Sequence, residues 1–329
     1  MPHPLYRKAY KALSPQARES LLKQIAVAYP VFSFLRFEHF SRYGMDTPTA
    51  VFSYQGREFV FVPGDEVTLG WDTFAEGMDQ ATREDLEASL QDCGLDDITL
   101  DNYLQASTSP VRKANLSPML VERQLNSIGW EPIPLDSPAL APFEKALQDF
   151  SKQSYQELTI HDTLKLQKTA TGIVAYLYEA INYQDFLLKI ASHKGFSIPT
   201  EDEWEYLCGG GTRTLFRWGD SFDYDMDLAH FSVNAPVDQP LTLEIPNQFG
   251  LSIAYDPYKY EVVQADCMLK GGDGGCNICG GLGLVMGYLS TATYFRSYDS
   301  AADELSYKED IAGDYTFYRR LFSLNNFLA

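Results

Sequence analysis

Cysteine is scarce in this chain of 329 residues: there are five, with Cys93, Cys208 and Cys267 isolated and only Cys276 and Cys279 close together. So few, odd in number, exclude a disulfide-stapled secreted scaffold. Basic residues are also sparse. Lys plus Arg number 26 against 45 Asp plus Glu, a formal charge of −19, which argues against nucleic acid or an anionic membrane as the main partner. No apolar leader opens the chain, so a cytoplasmic location is expected. The uncharged stretch from Gly274 to Phe295 holds six glycines together with Asn277, Ser290, Thr291 and Thr293, and is too polar for a membrane span. Nucleotide-binding glycine motifs are missing too. Gly281-x-Gly283 is followed by Gly287 one residue late for the dinucleotide fingerprint, and there is no Gly-Lys-Ser/Thr.

What is present reads as an ordinary globular chain, 45% hydrophobic and 22% charged. Ser14-Pro15 opens a helix with Ala17, Leu21, Ile25 and Ala28 on one face, ending near Pro30. Val51–Tyr54, the turn Gln55-Gly56 and Phe59–Val62 predict a hairpin closed by Pro63-Gly64, with Val67–Trp71 as a third strand. The acidic run from Asp72 to Asp101 predicts a solvated face with a short helix over Thr82–Leu90. Helical spacing recurs over Pro138–Ser151 and Tyr176–His193, and beyond Gly195 the chain should be loop-rich with short strands. Neither a linker nor an internal repeat is evident. The expected organisation is a helical extension over residues 1–50 and one domain over 51–329.

The sharpest local pattern is Ile198-Pro-Thr-Glu-Asp-Glu-Trp-Glu-Tyr, in which Thr200 and Glu203 have the spacing of a capping box. Glu201, Glu203 and Glu205 suit the positive end of a helix better than acid/base chemistry. Glu122 and Arg123 are expected to form surface ion pairs.

Pro199-Thr-Glu-Asp-Glu-Trp-Glu-Tyr, followed by Gly209-Gly-Gly and Phe216-Arg-Trp-Gly-Asp, resembles the signature of the formylglycine-generating enzyme or sulfatase-modifying-factor family. Similar blocks stand in the family's order: Phe59-Val-Phe-Val-Pro-Gly, Leu69-Gly70, Pro246-Asn-Gln-Phe-Gly-Leu, Leu269-Lys-Gly-Gly and Tyr318-Arg319. The resemblance implies an α+β, formylglycine-generating-enzyme-like (C-type-lectin-like) fold, sparse in regular structure. It also implies copper(I) bound by two cysteines, with four residues between them, after the Gly-Gly block. Aligning Gly271-Gly272 puts those positions at Gly281 and Met286, while Cys276 falls on a different family cysteine, so the dyad is absent. If register is shifted to enlist Cys279, the second position is Leu284. The related sulfoxide synthases of ergothioneine synthesis need a His-x-x-x-His helix, which His3, His39, His161, His193 and His230 do not supply. Of the family's calcium loop only Glu261 matches, within Tyr255–Val262. Asp223, Asp225 and Asp227 alternate as in a calcium loop, but Leu228 and Asn234 stand where glycine and glutamate belong.

The pair actually present, Cys276-Asn-Ile-Cys279, permits a redox disulfide, half of a zinc site needing ligands such as Cys208 or Cys267, or two unrelated thiols. Copper, zinc or calcium are the cofactors the resemblance allows. Gly271, Gly272, Gly274, Gly275, Gly280, Gly281 and Gly283 allow a tight loop whose amides hold a ligand, or close packing alone. Gly274, Gly275 and Tyr288 are the candidate ligand-binding residues, and Tyr255, Tyr258 and Tyr260 either line the same pocket or belong to the core. The expected function is that of a divergent family member without the copper dyad, binding a small-molecule or protein ligand or catalysing an unnamed reaction. The alternative is a metal-thiolate oxidase using Cys276 and Cys279, with Met286 as a soft third ligand.

Overall fold

The computed structural model describes residues 3–231, 239–266, 268–296 and 306–327. The chain is α+β and divides into two compact units. The first comprises Met1–Asn126, Ile190–Asp299 and Phe317–Ala329, and the second Ser127–Lys189 with Ser300–Thr316.

The first unit opens with helices α1 (Arg7–Ala12) and α2 (Pro15–Ala28). Ser14 caps α2 by accepting from the Ala17 amide at 3.2 Å, and the helix buries Leu21, Leu22 and Ile25. Two hairpins follow, β1 (Ser33–Arg42) with β2 (Met45–Tyr54), and β2 with β3 (Arg57–Val62). Both turns place their two central residues at positive φ, Tyr43 and Gly44 (49° and 73°), then Gln55 and Gly56 (50° and 77°), the twist that matches right-handed strands. The second hairpin is the one the sequence predicts. β1 is not, and it places a strand inside the expected helical extension; the boundary expected after residue 50 falls within β2. Charged Arg36, Glu38 and Arg42 alternate along β1 because it is the sheet's outer strand, so no apolar face announces it. Pro48 is tolerated in β2 since it needs no donor there, and the Tyr10 hydroxyl donates to its carbonyl at 2.9 Å.

The sheet continues from β3 through β6 (Met119–Glu122) to Leu321–Ser323 and Phe196–Ser197, giving six strands, and β4 (Asp65–Leu69) pairs with β5 (Arg112–Leu116) as a separate ribbon. Alternation divides β3 between two cores. Val60 and Val62 face a cluster with Val121, Trp71, Trp204, Phe249 and Tyr288. Phe59 faces an aromatic group in which Phe32, Phe196 and Phe322 have ring centroids 5.1–5.8 Å apart. Each such ring, fully buried, contributes about 1.5–3 kcal/mol from area alone. The acidic run forms α3 (Gln80–Asp92), capped by Asp79, and α4 (Leu100–Ala106), capped by Thr99.

The capping box is formed. The Glu203 amide donates to Thr200 Oγ1 at 3.3 Å and the Thr200 amide to Glu203 Oε2 at 2.8 Å, opening the helix Glu201–Gly209 that Gly210 ends at φ +67°. Beyond it regular structure is short, as expected: strands Tyr260–Val262 and Leu269–Lys270, helices Cys276–Cys279 and Leu284–Leu289. Among the described residues no helix is long and apolar enough to cross a membrane.

The second unit is a four-stranded antiparallel sheet in the order Trp130–Ile133, Gly172–Tyr178, Leu164–Thr169, Glu157–Ile160. Phe150 from the helix Glu144–Lys152 packs into its core with Leu140, Leu164, Leu166 and Ala175. The helix expected from Tyr176 starts only at Tyr183. β-Branched and aromatic residues from Ile173 to Tyr178 favour the strand, and Asn182 sets the helix start by accepting from the Asp185 amide at 2.9 Å.

Candidate functional site

The site is built on the glycine-rich loop after Lys270. Gly271 has φ +84°, and a Cβ there would come within 2.8 Å of the Trp204 ring; one at Gly272 would meet the Lys259 carbonyl oxygen at 2.7 Å. These two glycines are set by close packing. Asp273 then turns the chain: its carboxylate accepts from the Gly275 amide at 2.9 Å and the Asn277 amide at 3.3 Å. Burial pushes the Asp273 carboxyl above its usual value, and the loop amides oppose that shift.

The loop is not an open cradle. Its amides turn to Asp273 and to the Pro257 carbonyl, which also accepts from Asp273 and Gly275. Gly274 and Gly275, at φ +68° and +79°, leave room for the rings of Tyr260 and Tyr258, and a Cβ at Gly275 would run into the Tyr258 ring. Tyr288 is fully buried between Phe222 and Phe231. Of the tyrosines expected at one pocket, Tyr258 meets a candidate catalytic residue, Cys279.

Cys276 and Cys279 occupy the two ends of a single helical turn, both exposed and neither in a disulfide. Tyr258 Oη lies 3.0 Å from Cys279 Sγ. The Tyr258 ring sits against His230, centroids 4.5 Å apart, and the His230 ring nitrogen Nε2 lies 3.0 Å from Asp256 Oδ1, which also accepts from the Tyr258 amide at 3.0 Å. An aspartate, a histidine, a phenol and a thiol therefore stand in sequence beside the exposed turn. Sequence reasoning named Tyr258 only as an aromatic and missed His230 as its neighbour, because the histidine comes from a loop 26 residues before Asp256.

No family model, curated protein or solved structure matches the chain.

Met286, the expected soft third ligand, is buried at 1% exposure, and its sulfur lies 3.6 Å from the Tyr103 hydroxyl rather than presenting itself at the exposed turn. The Asn277 side-chain amide donates through Nδ2 to the Met286 carbonyl at 3.1 Å, and Gly287 packs under Ile278. Gly281 and Met286, where the resemblance would put the copper ligands, carry no thiolate, so these residues do not fit a copper dyad. No cluster of three His, Cys, Asp or Glu side chains able to hold a metal occurs among the described residues. Cys208 is fully buried, and burial pushes its thiol up. Cys267 and Asn234 lie outside the described residues. Both oxygens of Glu261, the one match to the calcium loop, accept from Arg319 at 2.6 and 2.7 Å.

Glu205 is buried, and so is Glu122, expected in a surface ion pair. Glu205 takes Lys270 at 3.0 Å and Arg112 at 2.9 Å with no exposed side chain of its own. Glu122, equally buried, takes Arg57 and Arg320, each at 2.8 Å. Burial alone would raise the Glu122 carboxyl, but the two guanidiniums win and hold it below its ordinary value. Arg123 pairs with Glu58 at 2.5 Å.

Proposed function

We propose that the chain is a divergent relative of the formylglycine-generating enzymes that keeps their C-type-lectin-like scaffold without their copper chemistry. On this reading it binds a small-molecule or protein ligand, or catalyses a different reaction, at the face bearing Cys276, Cys279 and Tyr258. The observation that carries the reading is the mutual contact of the family-like blocks. Trp204 underlies Gly271, Lys270 pairs with Glu205, and Lys270 Nζ stands 5.5 Å from the Trp204 ring centre. Asn247 donates to the carbonyls of Leu207 and Cys208 at 2.7 and 3.2 Å. Arg217 is buried and donates to the carbonyls of Leu243 and Ile253, and Arg319 reaches the Ser252 carbonyl at 2.7 Å. Blocks that are far apart in sequence thus support one framework around the glycine loop. A cytoplasmic location accords with thiols left outside disulfides.

A second reading is a metal-thiolate oxidase of the formylglycine-generating type, favoured by two exposed thiols on one turn. Metal analysis of protein purified under reducing conditions separates the two. The first reading predicts substoichiometric copper and zinc. Near-stoichiometric metal that vanishes in Cys279→Ser replaces it with the second.

A further inference from the structure

We infer that Cys276 and Cys279 form a reversible dithiol–disulfide couple that exchanges with low-molecular-weight disulfides, Cys279 attacking and Cys276 resolving. The inference uses the loop proposed as the working face but does not rest on the family likeness, so it stands or falls separately from any assay of formylglycine synthesis.

Three observations carry it. Residues three apart on a helical turn have Cα atoms about 5 Å apart, inside the range a disulfide spans. Gly275, Gly280 and Gly281 flank the turn, so the backbone can absorb the small adjustment that closing the bond requires. A phenol also stands against Cys279. Tyr258 Oη lies 3.0 Å from Cys279 Sγ, a hydrogen-bond contact that holds that sulfur at the exposed end of the turn. The phenol is held there by Gly275 on one side and by His230, tied to Asp256, on the other. Cys208, buried and with its thiol pushed up, has no such access.

The exchange balances without a metal. Cys279 thiolate attacks one sulfur of a small disulfide such as oxidised glutathione; the new S–S bond forms as the old one breaks and one small thiolate leaves. Cys276 thiolate then attacks Cys279 sulfur, closing the internal disulfide and expelling the second small thiolate. The protein loses two electrons and two thiol protons, and the small disulfide is reduced to two thiols.

The test equilibrates the full chain across ratios of reduced to oxidised glutathione, quenches in acid, alkylates and maps the peptides. The expected result is joint loss of alkylation at Cys276 and Cys279 with a single internal disulfide between them. Cys276→Ser should trap glutathione on Cys279. The inference is overturned if both thiols stay alkylatable in oxidised buffer, if either pairs with Cys267, or if Cys276→Ser leaves Cys279 unmodified.

Discussion

Lys270 Nζ lies 3.0 Å from Glu205 Oε1, and neither side chain has any exposed surface. Lys270 also donates to the Phe295 carbonyl at 2.7 Å, so all that satisfies its charge lies inside the protein. Removing Lys270 leaves the buried Glu205 carboxylate with Arg112 alone. Lys270→Met is expected to lose about 3–5 kcal/mol in urea unfolding, and adding Glu205→Leu should recover part of that loss. A double variant no more stable than the single would remove the pair from the account of the core.

Glu122 gives the acid response a sign. Its carboxyl is held below the ordinary 4.5 in the folded protein by Arg320 and Arg57, so its contribution is complete above that value and declines as pH falls through the lowered one. Glu58 behaves alike: its hydrogen bond from Arg36 leads the causes that lower it, although partial exposure weakens its share. Unfolding free energy measured from pH 6 downward should therefore be flat at first and fall below about pH 4.5, and Glu122→Gln should flatten the fall.

The glycines of the loop should be unequal. Gly281 has φ +74° with nothing within 4 Å of an added Cβ, so Gly281→Ala carries only the left-handed backbone cost of about 1–2 kcal/mol. Gly275→Ala carries that cost and collides with Tyr258 as well. Thermal melts should rank Gly275→Ala below Gly281→Ala, and equal melts would remove the close approach of Tyr258 to the loop.

Signals carried by neighbouring residues were legible in the sequence. Ser14-Pro15, the Gln55-Gly56 turn and the Thr200/Glu203 box each satisfy backbone groups within four residues, and each is formed. Thr200→Ala is expected to cost about 1 kcal/mol for that reason. Burial of charge was not legible, since Glu205 finds Lys270 65 residues on and Glu261 finds Arg319 58 residues on. The candidate site divides the same way. The Cys276/Cys279 pair shows in the sequence, whereas the approach of Tyr258 to Cys279 spans 21 residues and depends on the Asp273 turn.

The proposed loss of formylglycine synthesis rests on the sequence resemblance, which puts Gly281 and Met286 where that family has its copper-binding cysteines. The most direct measurement incubates the pure protein, supplied with copper(I) and oxygen, with a sulfatase-type cysteine peptide and reads the product by mass spectrometry. The account predicts unchanged peptide cysteine; turnover of that cysteine to formylglycine would contradict it.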